Sequence, residues 1–262
     1  MSPDDDPATR FSGTERYYAE HRPGYGEAAV EYVVDRFGVD GDATVLDLGC
    51  GAGQLTLPLA AHAGRVLGID PNPEMLAAGR ERAAAAGVET VEWVEGSDAD
   101  IDAGLGPLRL RTIGRAFHWM DRDRTLDTLR RLTDPDGGVA LFGDREALHR
   151  GRGEWWVVAH ETVSEYLQDL PERETGEVEY EEPHAAVLER NGYRDVTERE
   201  FEVEREWTVD GVIGYVFSLS FASRATFGDD AEAFEAGLRD RLLALDPPFA
   251  EEVSVGVVSG RV

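Results

Sequence analysis

Val45-Leu46-Asp47-Leu48-Gly49-Cys50-Gly51-Ala52-Gly53-Gln54 places three alternating glycines directly behind an apolar run. Glycines at a strand-to-helix turn let the backbone take positive φ and let a ligand approach closer than any β-carbon would permit. The spacing discriminates between ligands. A dinucleotide fingerprint reads G-x-G-x-x-G, so after Gly49 and Gly51 its third glycine falls at position 54, which here is Gln54. Asp47 sharpens the distinction, because a carboxylate two residues ahead of the first glycine repels a pyrophosphate and attracts a cationic amino group.

Three further segments follow in order. Arg65-Val66-Leu67-Gly68-Ile69-Asp70 is a short apolar run ending in an acid 17 residues after Gly53. A carboxylate at the end of a second strand can accept hydrogen bonds from ribose hydroxyls. Asn72 followed by Pro73 reads as the cap and first residue of a helix. Val91-Glu92-Trp93-Val94-Glu95 runs into the small turn Gly96-Ser97-Asp98-Ala99, where Asp98 is either an acceptor for an exocyclic amine or a solvated acid beside Asp100 and Asp102. A fourth strand pattern over 108–115 ends in Ala116-Phe117-His118-Trp119-Met120-Asp121. Ligands in open α/β sheets bind outside the carboxyl ends of the strands, so an aromatic cluster there is where a substrate is expected.

On these residues the chain resembles the class I S-adenosylmethionine-dependent methyltransferases. VLDLGCGAGQLT matches their first motif residue by residue, with E/D-x-G-x-G-x-G as its core, and A-F-H-W-M-D resembles the small-molecule branch typified by ubiquinone/menaquinone-biosynthesis and trans-aconitate methyltransferases. The N/D-P-P-Y/F signature of many adenine-N6 and glutamine methylases is lacking, and Arg109-Leu110-Arg111 holds none of the Asp that members often carry where the fourth strand starts. The resemblance implies S-adenosylmethionine as cofactor, bound by Asp47, Gly49, Gly51 and Gly53, with Asp47 near its amino group and Asp70 on the ribose. Pro71, Asn72 and Met75 would then flank the adenine, Asp98 and the backbone N–H of Ala99 would read its edge, and Phe117 would complete the cofactor site. His118 and Trp119 would face a small-molecule acceptor, His118 being the candidate base; the alternative for His118 is packing on Trp119. Arg22-Pro23-Gly24-Tyr25 resembles the family's R-P-x-Y stretch, which assigns Arg22 to the cofactor carboxylate or leaves it a plain surface arginine, with His21 beside it. No metal is implied. Two rivals remain, a non-catalytic S-adenosylmethionine- or nucleotide-binding protein of the same fold and a methylase of protein or nucleic acid.

A chain of 262 residues with a hydrophobic fraction of 42% supports one substantial core, and the expectation is a single domain over 1–262. The acidic start Met1-Ser2-Pro3-Asp4-Asp5-Asp6 is unlike a basic signal region, no run approaches a membrane span, and a cytoplasmic protein is expected. Cys50, the single cysteine, reads as packing inside the turn. The charge is extreme: 53 acids against 26 bases give −27, and every base is arginine. At molar salt the Debye length is about 3 Å, so repulsion among surface acids is muted. The composition therefore fits a halophile. A surface that captures cationic partners ranks lower, because the acids are spread along the whole chain, and no arginine cluster forms a phosphate track for nucleic acid.

Residues 1–10 read as a flexible tail. Helical spacing of apolar residues appears over 26–37, from Leu55 after the glycine turn, over 73–86 and over 122–132. Asp134-Pro135-Asp136-Gly137-Gly138 reads as a turn before a strand at Val139–Phe142. This alternation predicts an α/β fold, a doubly wound Rossmann-like sheet of seven strands, mostly parallel. After Asp144 the rhythm breaks. Residues 145–183, with Trp155, Trp156, Ala159, Val163, Tyr166, Leu167 and Leu170 at helical spacing, read as a helical insertion that forms a lid or as part of the core. A helix over 183–191, a strand over 196–203, two helices within 208–245 and an antiparallel last strand over 253–258 complete the expectation.

Overall fold

The computed structural model describes residues 9, 11–101, 103–144, 153–168, 170 and 182–262. Most of the expected tail and much of 145–183 lie outside the described residues.

Seven strands form one sheet in the order β3-β2-β1-β4-β5-β7-β6. They are β1 (Thr44–Leu48), β2 (Arg65–Asp70), β3 (Val91–Glu95), β4 (Leu108–Gly114), β5 (Thr133–Asp144), β6 (Arg194–Trp207) and β7 (Phe249–Arg261). The first five run parallel, and β7 is antiparallel to both β5 and β6. The chain moves outward from β1 through β2 to β3, then returns to place β4 on the other side of β1. That reversal opens a crevice at the carboxyl ends of β1 and β4.

Helices α1 (Glu15–His21), α2 (Glu27–Phe37), α3 (Thr56–Ala60), α4 (Pro73–Ala86), α5 (Arg122–Arg131), α6 (Glu154–Tyr166), α7 (His184–Arg190), α8 (Val209–Phe217), α9 (Arg224–Phe227) and α10 (Ala231–Leu243) surround it. On one face Val30, Val33 and Phe37 of α2 and Leu59 of α3 pack with Val45, Val66 and Leu110; on the other, Leu126 and Leu129 of α5 and Val187 and Leu188 of α7 pack with Leu46, Leu67 and Ile113. Strands covered on both sides must be apolar on both sides, which is why β1 reads as a nearly continuous apolar run. At the start of α4 the Asn72 side chain accepts from the N–H groups of Glu74 and Met75, with Pro73 at the first helical position. No helix among the described residues is long and apolar enough to cross a membrane.

Some boundaries differ from the sequence reading. β5 starts at Thr133, so the Asp134–Gly138 turn lies inside the strand as an irregularity between the pairs Leu108↔Thr133 and Leu110↔Gly138. Arg111, fully buried, spans this irregularity by donating to the carbonyls of Leu108 (2.8 Å) and Gly138 (3.1 Å). Burial lowers its guanidinium to about 10. β6 and β7 are longer than their apolar cores, because cross-strand pairing continues past them from Thr197↔Ser259 to Trp207↔Phe249. Residues 208–245 hold three helices rather than two, and α1 lies where no helix was expected.

The described part of 145–183 supplies α6. Its Trp155, Trp156, Ala159 and Val163 pack with Trp207, Tyr215 and Phe217 in a third layer built from α6, α8, α9 and α10. Glu251 on β7 fixes that layer to the sheet by accepting the indole N–H groups of both Trp156 and Trp207.

Candidate active site at the glycine turn

Gly49, Gly51 and Gly53 all have positive φ, at 70°, 53° and 83°. A β-carbon on Gly49 would lie 2.6 Å from Cβ of Ala116, which is closer than side chains approach. This contact sets the turn after β4 directly on the glycine turn, and so brings the first and fourth sequence segments together. The N–H groups of Gly49 and Cys50 donate to the carbonyl of Ile69 (2.8 and 3.1 Å), so the turn hangs from the end of β2. Burial raises the Cys50 thiol well above its ordinary value, in keeping with a packing role.

Two buried carboxylates frame the turn. Asp47 is 1% exposed and accepts from the hydroxyls of Thr56 (2.6 Å) and Thr112 (2.8 Å). Its burial raises the carboxyl to about 6 despite those two bonds, and Asp70 repels it further. Asp70 accepts the N–H of Gly51 (2.8 Å) and the N–H of Asn72 (2.9 Å), and burial raises it as well. Among the described residues no arginine or histidine forms an ion pair with either acid. Two desolvated acids without a cation form an electrostatic arrangement that a positively charged ligand relieves.

Arg22 lies next to Tyr18, whose ring is beside Gly51 of the turn. Its guanidinium lies over the rings of Tyr18 (5.6 Å) and Tyr215 (5.1 Å), and its Nε and Nη1 are buried with no hydrogen-bond acceptor. Arg22 is thus no plain surface arginine. Arg115, at the end of β4 with φ 54°, lies over Tyr25 (4.4 Å) and donates to the carbonyl of Pro23 (2.9 Å). The R-P-G-Y stretch is thereby tied to the strand that carries the aromatic cluster.

The remaining candidates are spread around this centre. Pro71 is half-buried and Met75 buried at the start of α4. The Asp98 carboxylate is engaged by Arg124 and by the Thr125 hydroxyl (both 3.0 Å), and the N–H of Ala99 donates to Ser97 Oγ (3.2 Å). Both groups proposed to read a base edge therefore have protein partners. Phe117 is buried against the ring of His184, while His118 and Trp119 are exposed and lie ring on ring at 4.3 Å. No group of acids, histidines and cysteine suited to a metal occurs among the described residues. A cavity of about 360 Å³ lies at the opposite, amino-terminal edge of the sheet, between Asp42, Arg65, Arg109 and Asp134.

Sequence reasoning missed Glu15, Tyr18 and Gln54. A β-carbon on Gly51 would lie 3.4 Å from Tyr18 Cε1, Gln54 Nε2 donates to the Tyr18 carbonyl (2.9 Å), and Asn72 Nδ2 donates to Glu15 (3.2 Å). Positions 15 and 18 share one face of α1 and Arg22 caps its end in extended conformation; the spacing of 15 and 18 was present in the sequence as the signal.

Residues 45–137 match the methyltransferase domain family Methyltransf_25. An uncharacterized methyltransferase of Mycobacterium bovis is 31% identical over 140 residues, 52% of each chain. Another, from Schizosaccharomyces pombe, is 29% identical over 126 residues, 48% of each chain. The chain thus spans about half the length of the curated relatives it matches. Among solved structures, a candidate type II methyltransferase from Anaeromyxobacter dehalogenans aligns with a TM-score of 0.62 at 24% identity, over 92% of this chain and 97% of that one. A SAM-dependent methyltransferase from Aquifex aeolicus aligns at 0.54 and 21%, over 95% and 98%. The doubly wound seven-stranded sheet is the fold these proteins share.

Proposed function

Starting from a methyltransferase domain over residues 45–137, we propose that this protein is an S-adenosylmethionine-dependent methyltransferase acting on a small-molecule acceptor. The observation that carries the reading is the pair of buried, cation-free carboxylates Asp47 and Asp70 around a G-x-G-x-G turn. A dinucleotide pyrophosphate would add negative charge to that pair, whereas S-adenosylmethionine carries an ammonium and a sulfonium.

S-adenosylmethionine supplies a methyl group already activated on a cationic leaving group, so orientation and exclusion of water are the protein's main work. In this reading Asp47 holds the ammonium side of the turn through the field of its desolvated carboxylate. Asp70 keeps two of its four lone-pair directions for ribose hydroxyls while the other two fix the Gly51 and Asn72 backbone. Arg22, with two buried donor atoms unmet, supplies the cation for the cofactor carboxylate. Pro71 and Met75 flank the adenine, Asp98 and Ala99 read its edge on exchanging their present partners, and Phe117 backs the site from the core. His118 removes a proton from the acceptor and Trp119 lies beside it.

Arg22 and Arg115 each lie over tyrosine rings, where they are engaged within the protein, which favours a small acceptor over nucleic acid. The −27 charge supports a protein working in concentrated salt, and the cytoplasm is the proposed compartment. Calorimetry with S-adenosylhomocysteine tests the cofactor assignment, and micromolar affinity is expected. Mass spectrometry of extracts incubated with isotopically labelled S-adenosylmethionine then identifies the acceptor. Binding with label only in the protein or nucleic-acid fraction would mark a macromolecule methylase, and binding with no label transfer at all a non-catalytic binding protein.

A further inference from the structure

Three glycines from three elements surround one indole. Gly79 lies in the middle of α4 and Gly68 in the middle of β2, where a missing side chain weakens a helix or a strand. Gly53 closes the glycine turn at φ 83°. A β-carbon on Gly79 would lie 2.5 Å from Cζ3 of Trp93, one on Gly53 2.7 Å from Cη2, and one on Gly68 3.3 Å from Cε3. The first two distances are closer than side chains approach, so the six-membered ring of Trp93 fills a slot that exists because these residues are glycine.

Trp93 on β3 is the partner of Gly68 in the sheet register, and Gly68 is in turn the partner of Asp47 on β1. The row Asp47, Gly68, Trp93 therefore crosses three strands on one face of the sheet. Thr56, whose hydroxyl donates to Asp47, lies 3.5 Å from the place of a Gly68 β-carbon. Next to Gly53, the carbonyl of Ala52 accepts from the guanidinium of Arg82 on α4, and the N–H of Gly53 donates to the Cys50 carbonyl (2.9 Å). The end of the turn is thus held at two successive residues, by a hydrogen bond from α4 and by a ring from β3.

We propose that Trp93 is a positioning residue of the cofactor site: its ring, wedged between α4 and the turn, sets where Gly53 lies and with it the backbone that receives S-adenosylmethionine. The proposal rests on the cofactor reading above and extends it to a residue on β3 that the glycine motif does not contain. The space that Gly53 leaves open is filled by protein, so this glycine serves the fit of the turn on its support. Close-packed contacts of this kind respond to added and to removed bulk alike, and changes that conserve the summed volume are tolerated best. Trp93→Phe removes bulk from the slot and Gly79→Ala returns it, which makes the pair a matched test.

Calorimetry with S-adenosylhomocysteine on the wild type, Trp93→Phe, Gly79→Ala and the double variant tests the wedge. Each single change is expected to weaken binding about tenfold, the first by leaving a void behind Gly53 and the second by displacing the ring, while the double variant binds within about threefold of wild type. Should Gly79→Ala alone fold poorly by its melting temperature, Trp93→Phe and the double variant carry the comparison: recovered affinity supports the wedge and unrecovered affinity overturns it. Trp93→Leu takes the place of Trp93→Phe if that variant does not fold. A lower melting temperature of Trp93→Phe with unchanged affinity marks a residue that only fills the core, and overturns the proposal while the cofactor reading stands. So does an additive loss of about a hundredfold in the double variant. Failure of the wild-type protein to bind S-adenosylhomocysteine overturns the cofactor reading and the wedge together.

Discussion

Asp70 and Gly51, 19 positions apart, are joined by a 2.8 Å hydrogen bond in which the glycine N–H donates to the carboxylate. The bond crosses from the end of β2 to the turn after β1, so the shape of the turn depends on an acid outside its own motif. Charge-assisted bonds of this kind are about twice as strong as neutral ones.

Replacing Asp70 with alanine is therefore expected to weaken S-adenosylmethionine binding at least tenfold, since charge-assisted bonds contribute about 1.5 to 3 kcal/mol. The melting temperature should also fall, because the N–H groups of Gly51 and Asn72 lose their acceptor. Calorimetry on the folded variant decides the matter: unchanged affinity would falsify the ribose assignment. NAD should bind neither protein.

Asp47 makes the opposite prediction for stability. Its carboxyl is raised from 3.8 to about 6, mainly by burial, so the folded protein holds this proton more tightly than the unfolded chain. Stability from this group is full below the unfolded value and is lost as pH rises through the folded one; at higher pH the ionised acid costs about 3 kcal/mol. Asp70, raised for the same reason, adds in the same direction. Asp47→Asn should flatten the decline between pH 4 and 6, match or exceed wild-type melting at pH 8, and bind S-adenosylmethionine more weakly. A variant less stable than wild type across that whole range would remove the electrostatic account.

Salt dependence follows from composition. With a net charge of −27, repulsion between surface acids destabilises the compact state at low ionic strength and is screened at molar salt. The melting temperature should climb from dilute buffer to molar KCl. A flat profile would withdraw the halophile interpretation and favour a cationic partner for the acidic surface.

For His118 the expected outcome of His118→Asn is retained affinity for S-adenosylhomocysteine with turnover lowered about 10² to 10⁴, the usual contribution of a general base. His118 lies past the end of β4, clear of Asp47 and Asp70, which is why binding and turnover should separate. Its ring contact with Trp119 at 4.3 Å supplies the competing explanation. Loss of melting temperature in parallel with activity, with an unaltered pH profile, would identify packing as the residue's role.

The glycine turn, the Asn72-Pro73 helix start and the buried strands were legible because each is set by neighbours within a few positions. The place of Asp70 at the end of β2 was legible as well, from the apolar run that precedes it. The limits of β5 were not, since the stretch 134–138 is held in the strand by the Arg111 guanidinium and by Val262, whose N–H donates to the Gly137 carbonyl. A turn-forming composition yields to partners that no local window contains.

The succession of the seven strands and the backbone of the glycine turn were thus determined by the sequence alone, through backbone preferences and apolar periodicity that act over one strand or one helix turn. Which carboxylates meet a cation was decided only in three dimensions. Asp47 and Asp70 are equally acidic on paper to Asp98, yet Asp98 meets Arg124 while the other two are buried without a cation. The Nε and Nη1 atoms of Arg22 are likewise buried only because Tyr18 and the distant Tyr215 bring their rings to its guanidinium. Desolvation and pairing depend on what distant segments bring into contact, so a residue's charge is readable from its letter while the strength of that charge is set by the packing around it.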